Sequence, residues 1–378
     1  MKHHLILTLS VLVASGNPAL SQGTEIEPET LTVEERIPEG DHLFVLDFGM
    51  TGSSVIYVLN AEDLALVGSI GFGSMGQMAM SPDNSKLYTA SGYMRRYTYG
   101  ELEAVIHEWD AATLNANTEM LISPKFAPAL SQNGIFNLSA DGAYMVVQNA
   151  TPATSVNIVD LAKGGDLVEI PTPGCWTAYP STEGHAFSTL CGDGTVTKYS
   201  YEADGTVSDG VKSEKIFDAD SNPVFGVAVR AQGKLVYVTF GGSLLFVDDS
   251  GDVPVLERTA EFASDGWAPG GNNMIAYHAP SNTLFVGMHP NAFDGSHKFP
   301  AEEIWAIDLE SGTVVARGKA NADTNLAVSG GDTPVLFGVD HMGGVHRYDV
   351  TLGEGAAITT AASREGVALF ATKLATDF

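Results

Sequence analysis

The sequence predicts an all-β chain folded as a seven-bladed β-propeller of four-stranded antiparallel blades. Three observations carry this. Strand alternation and turn residues run from Asp41 onward, with no amphipathic helix longer than a turn or two. A hairpin of one form recurs six times, its turns marked by Asp83, Asp141, Glu183, Gln232, Asn282 and Asp332, at spacings of 58, 42, 49, 50 and 50 residues. A third strand ending in an acid follows five of the six hairpins, at Trp109-Asp110, Val159-Asp160, Val247-Asp248, Ile307-Asp308 and Tyr348-Asp349. Four strands in each repeat of this length is the pattern of a propeller blade.

In chain order, residues 1–21 read as a secretory signal. Leu5 to Ala14 is apolar, and Pro18-Ala19-Leu20-Ser21 offers small residues for cleavage near Ser21. That run is too short to span a bilayer, and no later one approaches ~18 apolar residues. Residues 22–40, rich in Glu, Thr and Pro, are expected to form a flexible arm. The propeller occupies 41–378. Its first unit supplies only three strands, at 42–46, 54–59 and 65–67, so its inner strand must come from the far end of the chain, within 356–374. Such a closure removes the exposed sheet edge, the usual hazard of an all-β chain. Six complete units and this shared one make seven blades.

Two inserted loops, 92–103 and 289–302, delay the third strands of their blades. Long loops on a rigid scaffold tend to carry contacts. Tyr93, Arg95 and Tyr97 in the first loop, with Trp267 and His297 later in the chain, suit a protein interface.

The formal net charge of -27 excludes nucleic acid as a natural partner, because phosphate binding needs a basic face. It keeps an exported chain soluble and can steer a cationic substrate. The two cysteines of an exported chain are expected to pair. Cys175 and Cys191 would join neighbouring strands of one blade, adding about 3 kcal/mol in the chain-entropy picture. No thiol is then left as a nucleophile. No G-x-S-x-G elbow and no H-E-x-x-H metal spacing occurs. Gly71-Phe72-Gly73-Ser74-Met75-Gly76 fits G-x-G-x-x-G but runs into a strand, not the helix a dinucleotide site requires. His341 and His346 could meet across a hairpin, but loop positions explain them as well. The residues show no catalytic constellation, no metal site and no cofactor site of this chain's own.

Several stretches resemble one family. Gln148-Asn149-Ala150-Thr151-Pro152 leading to Val159-Asp160, then Gly174-Cys175-Trp176 and Cys191-Gly192-Asp193-Gly194, are similar to the heavy subunit of tryptophan tryptophylquinone amine dehydrogenases. So are Asp265-Gly266-Trp267-Ala268-Pro269-Gly270-Gly271 ahead of Tyr277-His278, and Met288-His289-Pro290 ahead of Gly295-Ser296-His297-Lys298-Phe299 and Glu303-Ile304-Trp305. The first and third sets look closer to the aromatic (aralkylamine) enzyme than to the methylamine enzyme.

The resemblance implies a periplasmic heterotetramer of two propeller subunits and two small, disulfide-rich light subunits. The quinone and the catalytic Asp would sit in the light subunit, and electrons would pass to a small copper protein or a cytochrome. Trp109, Trp176, Trp267 and Trp305 are then structural or interfacial. An early first-blade loop would help wall the substrate entrance. Here that loop is shorter, and Phe48 or Met50 is the candidate. Two readings from other classes stand beside this one: an exported hydrolase of lactonase type, needing clustered carboxylates or histidines at the channel mouth, and a non-enzymatic scaffold.

Overall fold

The computed structural model describes residues 34–378, apart from Thr51, Thr98, Ala129 and Leu130. The expected signal and residues 22–33 of the expected arm lie outside the described residues. The rest is sheet: seven antiparallel sheets and, among the described residues, a single 3-10 turn at Ser296–Lys298. Blade I is built from Ala371–Thr376, His42–Asp47, Ser54–Asn60 and Leu66–Phe72, in that order from the axis outward. Blades II, III and IV begin on the inner strands Ser74–Met80, Phe136–Leu138 and Cys175–Pro180. Blade V begins on Val224–Ala231 and blade VII on Asp323–Val328. In blade VI the inner strand is split into Ala268–Pro269 and Ile275–His278, both paired with Thr283–His289. The closing strand starts later than the sequence suggests, because Ala357–Arg364 is instead the outer strand of blade VII.

Seven apolar clusters fill the seven gaps between adjacent blades. Phe44 and Leu46 face blade II with Met78 and Leu87, while Leu43 and Val45 face blade VII with Phe337 and Val339. A second strand therefore buries both faces, and reads as a continuous apolar run such as Thr283–His289. The acid ending a third strand holds the turn that follows. Asp110 accepts the backbone N–H of Ala112 and Thr113, and Asp160 those of Ala162 and Lys163. Cys175 and Cys191 face each other on adjacent strands of blade IV and are disulfide-bonded. Gly76 is needed for close packing: a Cβ there would meet Phe72 and Ser54 at 2.7 Å.

The ring is closed at two places. At one end His42 donates its backbone N–H to Asp377 at 2.7 Å. Its ring faces the Asp377 carboxylate at 2.9 Å and the Pro38 carbonyl at 3.0 Å. With an acceptor on each nitrogen, both must carry protons, and the imidazolium is favoured. Near the other end an amide cluster crosses the axis. Asn273 accepts the Asn133 N–H at 2.9 Å and donates to the carbonyls of Ser131 and Thr372. The Asn325 side chain accepts from the Asn273 N–H and the Asn272 amide. Blades III, VI, VII and I are thereby tied through two buried side chains, Asn273 and Asn325.

Two outcomes follow. The hydrogen bond to Asp377 raises the His42 pKa above its ordinary value, so this contact stabilises fully below about pH 6.5 and is lost as pH rises through the raised value. The denaturation midpoint should fall over that window, and His42→Gln should flatten the fall. Asn273→Ala strands one N–H and two carbonyls; denaturant unfolding should register a loss of about 2–4 kcal/mol, whereas a surface control such as Asn115→Ala should cost under about 0.5 kcal/mol.

Candidate functional site

The inner strands all begin at one end of the toroid. The pairings Asp47↔Ala371, Ser74↔Gly92, Ala268↔His289 and Asp323↔Asp340 place the loops after the second strands at that same end. Both inserted loops therefore emerge there. The first is partly strand: the hairpin extends to Met94 and resumes at Leu102, leaving a seven-residue tip. Its Tyr97 is 85% exposed and Tyr93 38%. Arg95 stands on Glu101 at 3.1 Å. In the second, Phe293 packs edge-on to Phe299 at 5.4 Å, and Phe299 lies over His289.

A cavity of about 460 Å³ opens at the axis on this end. Its walls are Phe225, Phe240, His297 and Phe370, and its floor includes Gln132, Asn272 and Asn325 of the amide cluster. His297 stacks on Phe240 with ring centroids 4.1 Å apart. Burial and the neighbouring Lys298 lower its pKa, so the ring is held neutral. Its Nδ1 is buried and meets no partner among the described residues.

Phe48 and Met50 end up in different surroundings. Asp47 accepts the backbone N–H of Leu369 and of Phe370, at 2.9 and 2.8 Å. Phe48 donates its N–H to the Phe370 carbonyl, and the two rings meet edge-to-face at 6.3 Å. Phe48 is thus a buried prop for Phe370, which lines the mouth, while Met50 is 61% exposed on the rim. Phe370 and Phe240 escaped sequence reasoning. Both sit on short strand-linking segments whose register relative to the axis is set by tertiary pairing. Trp267 is half-buried against Trp305 at 5.6 Å, in the gap between blades V and VI. Trp305 is fully buried, its indole N–H given to Glu303 and its face covered by Arg317 at 3.6 Å.

The histidines do not converge. His346 is buried and bound to Asp323 at 2.8 Å, with Tyr348 donating to the same carboxylate, while His341 is exposed on the mouth rim. His278 joins blades VI and VII through Ser281 and the Gly331 carbonyl. Among the described residues no group of three or more His, Cys, Asp or Glu is disposed to hold a metal ion. No helix among them is long and apolar enough to cross a membrane. What the mouth offers is shape, aromatic surface and a few unpaired polar atoms.

One outcome checks the pinning of the mouth. Asp47→Asn replaces an acceptor with a donor facing two backbone N–H groups. Hydrogen exchange at Leu369 and Phe370 should quicken at least about tenfold, the equivalent of ~1.4 kcal/mol.

A family model described as methylamine dehydrogenase heavy chain matches residues 40–357. The methylamine dehydrogenase heavy chain of Methylophilus methylotrophus is 24% identical over 358 residues, covering 88% of this chain and 86% of that one. Its counterpart from Methylorubrum extorquens is 26% identical over 270 residues, covering 68% and 64%. Among solved structures, a 6-phosphogluconolactonase candidate from Bacteroides fragilis superposes with a TM-score of 0.59 at 11% identity, covering 92% of this chain and 99% of that one. The dihydro-heme d1 dehydrogenase NirN superposes at 0.52 and 15% identity, covering 88% and 74%. At such identities these two likenesses speak for the propeller fold alone. With the family model spanning most of the propeller, the chain belongs to the methylamine dehydrogenase heavy-chain family.

Proposed function

We propose that this chain is the heavy, cofactor-free subunit of a periplasmic amine dehydrogenase that oxidises primary, preferentially aromatic, amines to aldehyde and ammonia. What carries the reading is a contrast at one end of the toroid. Large exposed apolar side chains gather on its loops: Met50, Tyr97, Tyr99, Phe293, Phe299, Met342 and Leu369. Those elsewhere, such as Leu66, Leu121 and Val255, are scattered singly on outer strands. A rim of this kind suits a second protein.

The partner is a small, disulfide-rich light subunit, two copies to two of this chain, docked over the mouth. Its tryptophan tryptophylquinone supplies the two-electron oxidation of the substrate C–N bond. The role of this chain is to bind, wall and exclude water. Phe370, propped by Phe48, and the exposed Met50 face the substrate entrance, and Tyr93, Arg95, Tyr97, Trp267 and His297 belong to the docking side. Electrons leave for a blue copper protein or a cytochrome. Export through the cleaved N-terminal segment places the complex in the periplasm. The aromatic preference rests on the residues around 148–160 and 288–305 and on the aromatic wall of the mouth.

Purification from native periplasm should yield a small companion chain with quinone absorbance. Isolation of an active single chain, or of no companion, would contradict the proposal. In the complex, kcat/KM for phenethylamine should exceed that for methylamine by at least about tenfold, and Phe370→Ala should erode that ratio. If the acidic surface steers the protonated amine, kcat/KM should also fall as ionic strength rises, and a flat profile would count against steering.

A further inference from the structure

Behind the amide cluster lies a second cavity, the central channel, of about 720 Å³. The second halves of all seven inner strands line it, with Met78, Met80, Ile275, Leu326 and Val328 giving it apolar walls. Lys373, on the closing strand, lines it too. Its surroundings set it apart from the other described lysines, of which Lys298 and Lys319 are also unpaired but stand exposed on the surface. Lys86, Lys125, Lys163, Lys212, Lys215 and Lys234 each stand on a carboxylate, and Lys198 is ringed by backbone carbonyls. Lys373 makes no hydrogen bond or ion pair among the described residues, in a chain with 46 acidic residues to choose from. The other titratable groups on the channel wall are engaged. Arg230 is clamped on Asp249, Tyr179 bonds the backbone of Asn133, Gly226 and Ala228, and Tyr277 donates to Asn282. An ammonium here is half-buried among apolar walls, partly screened from water, and has gained no counter-charge. That favours the free amine, which is the nucleophilic form.

We propose that Lys373 is a site of reversible imine formation with small aldehydes that enter the central channel. The amine nitrogen bonds to the carbonyl carbon, and the carbinolamine loses its oxygen as water to leave the imine; nothing is oxidised or reduced. Arg230 cannot compete, because a guanidinium stays protonated. Aldehyde is the product class of the proposed reaction, and to that extent the assignment rests on that reading. Trapping the imine needs neither quinone nor amine turnover, so failure of one is distinguishable from failure of the other.

The purified full chain, alone or in its complex, is treated with benzaldehyde and sodium cyanoborohydride and mapped by peptide mass. Desolvation brings the Lys373 pKa down to about 8, so at pH 7 it holds roughly 250-fold more free amine than an ordinary lysine. It should be alkylated at least about tenfold faster than Lys86, Lys212 or Lys319, with the rate levelling off just above pH 8. An aldehyde coupled to dextran, too large for the channel, should label the surface lysines and spare Lys373. Lys373→Arg should abolish this label and leave the others unchanged. Labelling spread evenly over the exposed lysines, no adduct at Lys373 in the wild-type chain, or equal labelling by the bulky aldehyde would overturn the assignment.

Discussion

The constraint on which the rest depends is burial of both faces of every blade. A four-stranded sheet alone leaves two apolar faces in water. Here each face meets the next blade, and the seven gaps hold seven separate apolar clusters. The arrangement works only if the ring is complete, because an open ring would bare the faces of blades I and VII. The pairing of Ala371–Thr376 with His42–Asp47 is therefore the contact that lets the others persist. The His42–Asp377 contact and the Asn273 cluster reinforce it from its two ends.

The fold was legible because the blade repeats its turn chemistry. Asp83 and Asp141 are each bonded by the serine two residues before them, Ser81 and Ser139, so that hairpin turn has a chemical signature as well as a length. Asp110, Asp160 and Asp308 mark the next turn by accepting its backbone N–H groups. Where the signature is absent, the reading blurs. The closing strand has no turn of this kind before it, and its limits moved to Ala371–Thr376. The inner strand of blade VI is interrupted so that Asn272 and Asn273 can reach across the axis, which no local pattern announces.

The candidate site was legible in part. Departures from the repeat pointed to the two inserted loops, and the pairing registers place both at the mouth end. The division of labour between Phe48 and Phe370 was not readable. The two are 322 positions apart in the chain and meet only because Asp47 holds the backbone before the closing strand. The amides that floor the mouth were missed for the same reason: an asparagine in a loop looks like a turn residue until its partners are known. The structure also separates two spaces that a toroid could have merged. The amide cluster stands between an aromatic mouth and an apolar channel holding one unpaired amine.

The proposed docking of a quinone-bearing companion on the aromatic-rimmed end of this propeller would bury that end's loops. Hydrogen exchange of the chain alone against the assembled complex tests it most directly. Docking there should give new protection in 93–101, 289–300 and 368–371, with the hairpin turns near Asp83, Asp141 and Glu183 at the opposite end unchanged. Protection confined to those opposite turns or to the outer strands, with the mouth loops still exchanging freely, would contradict it.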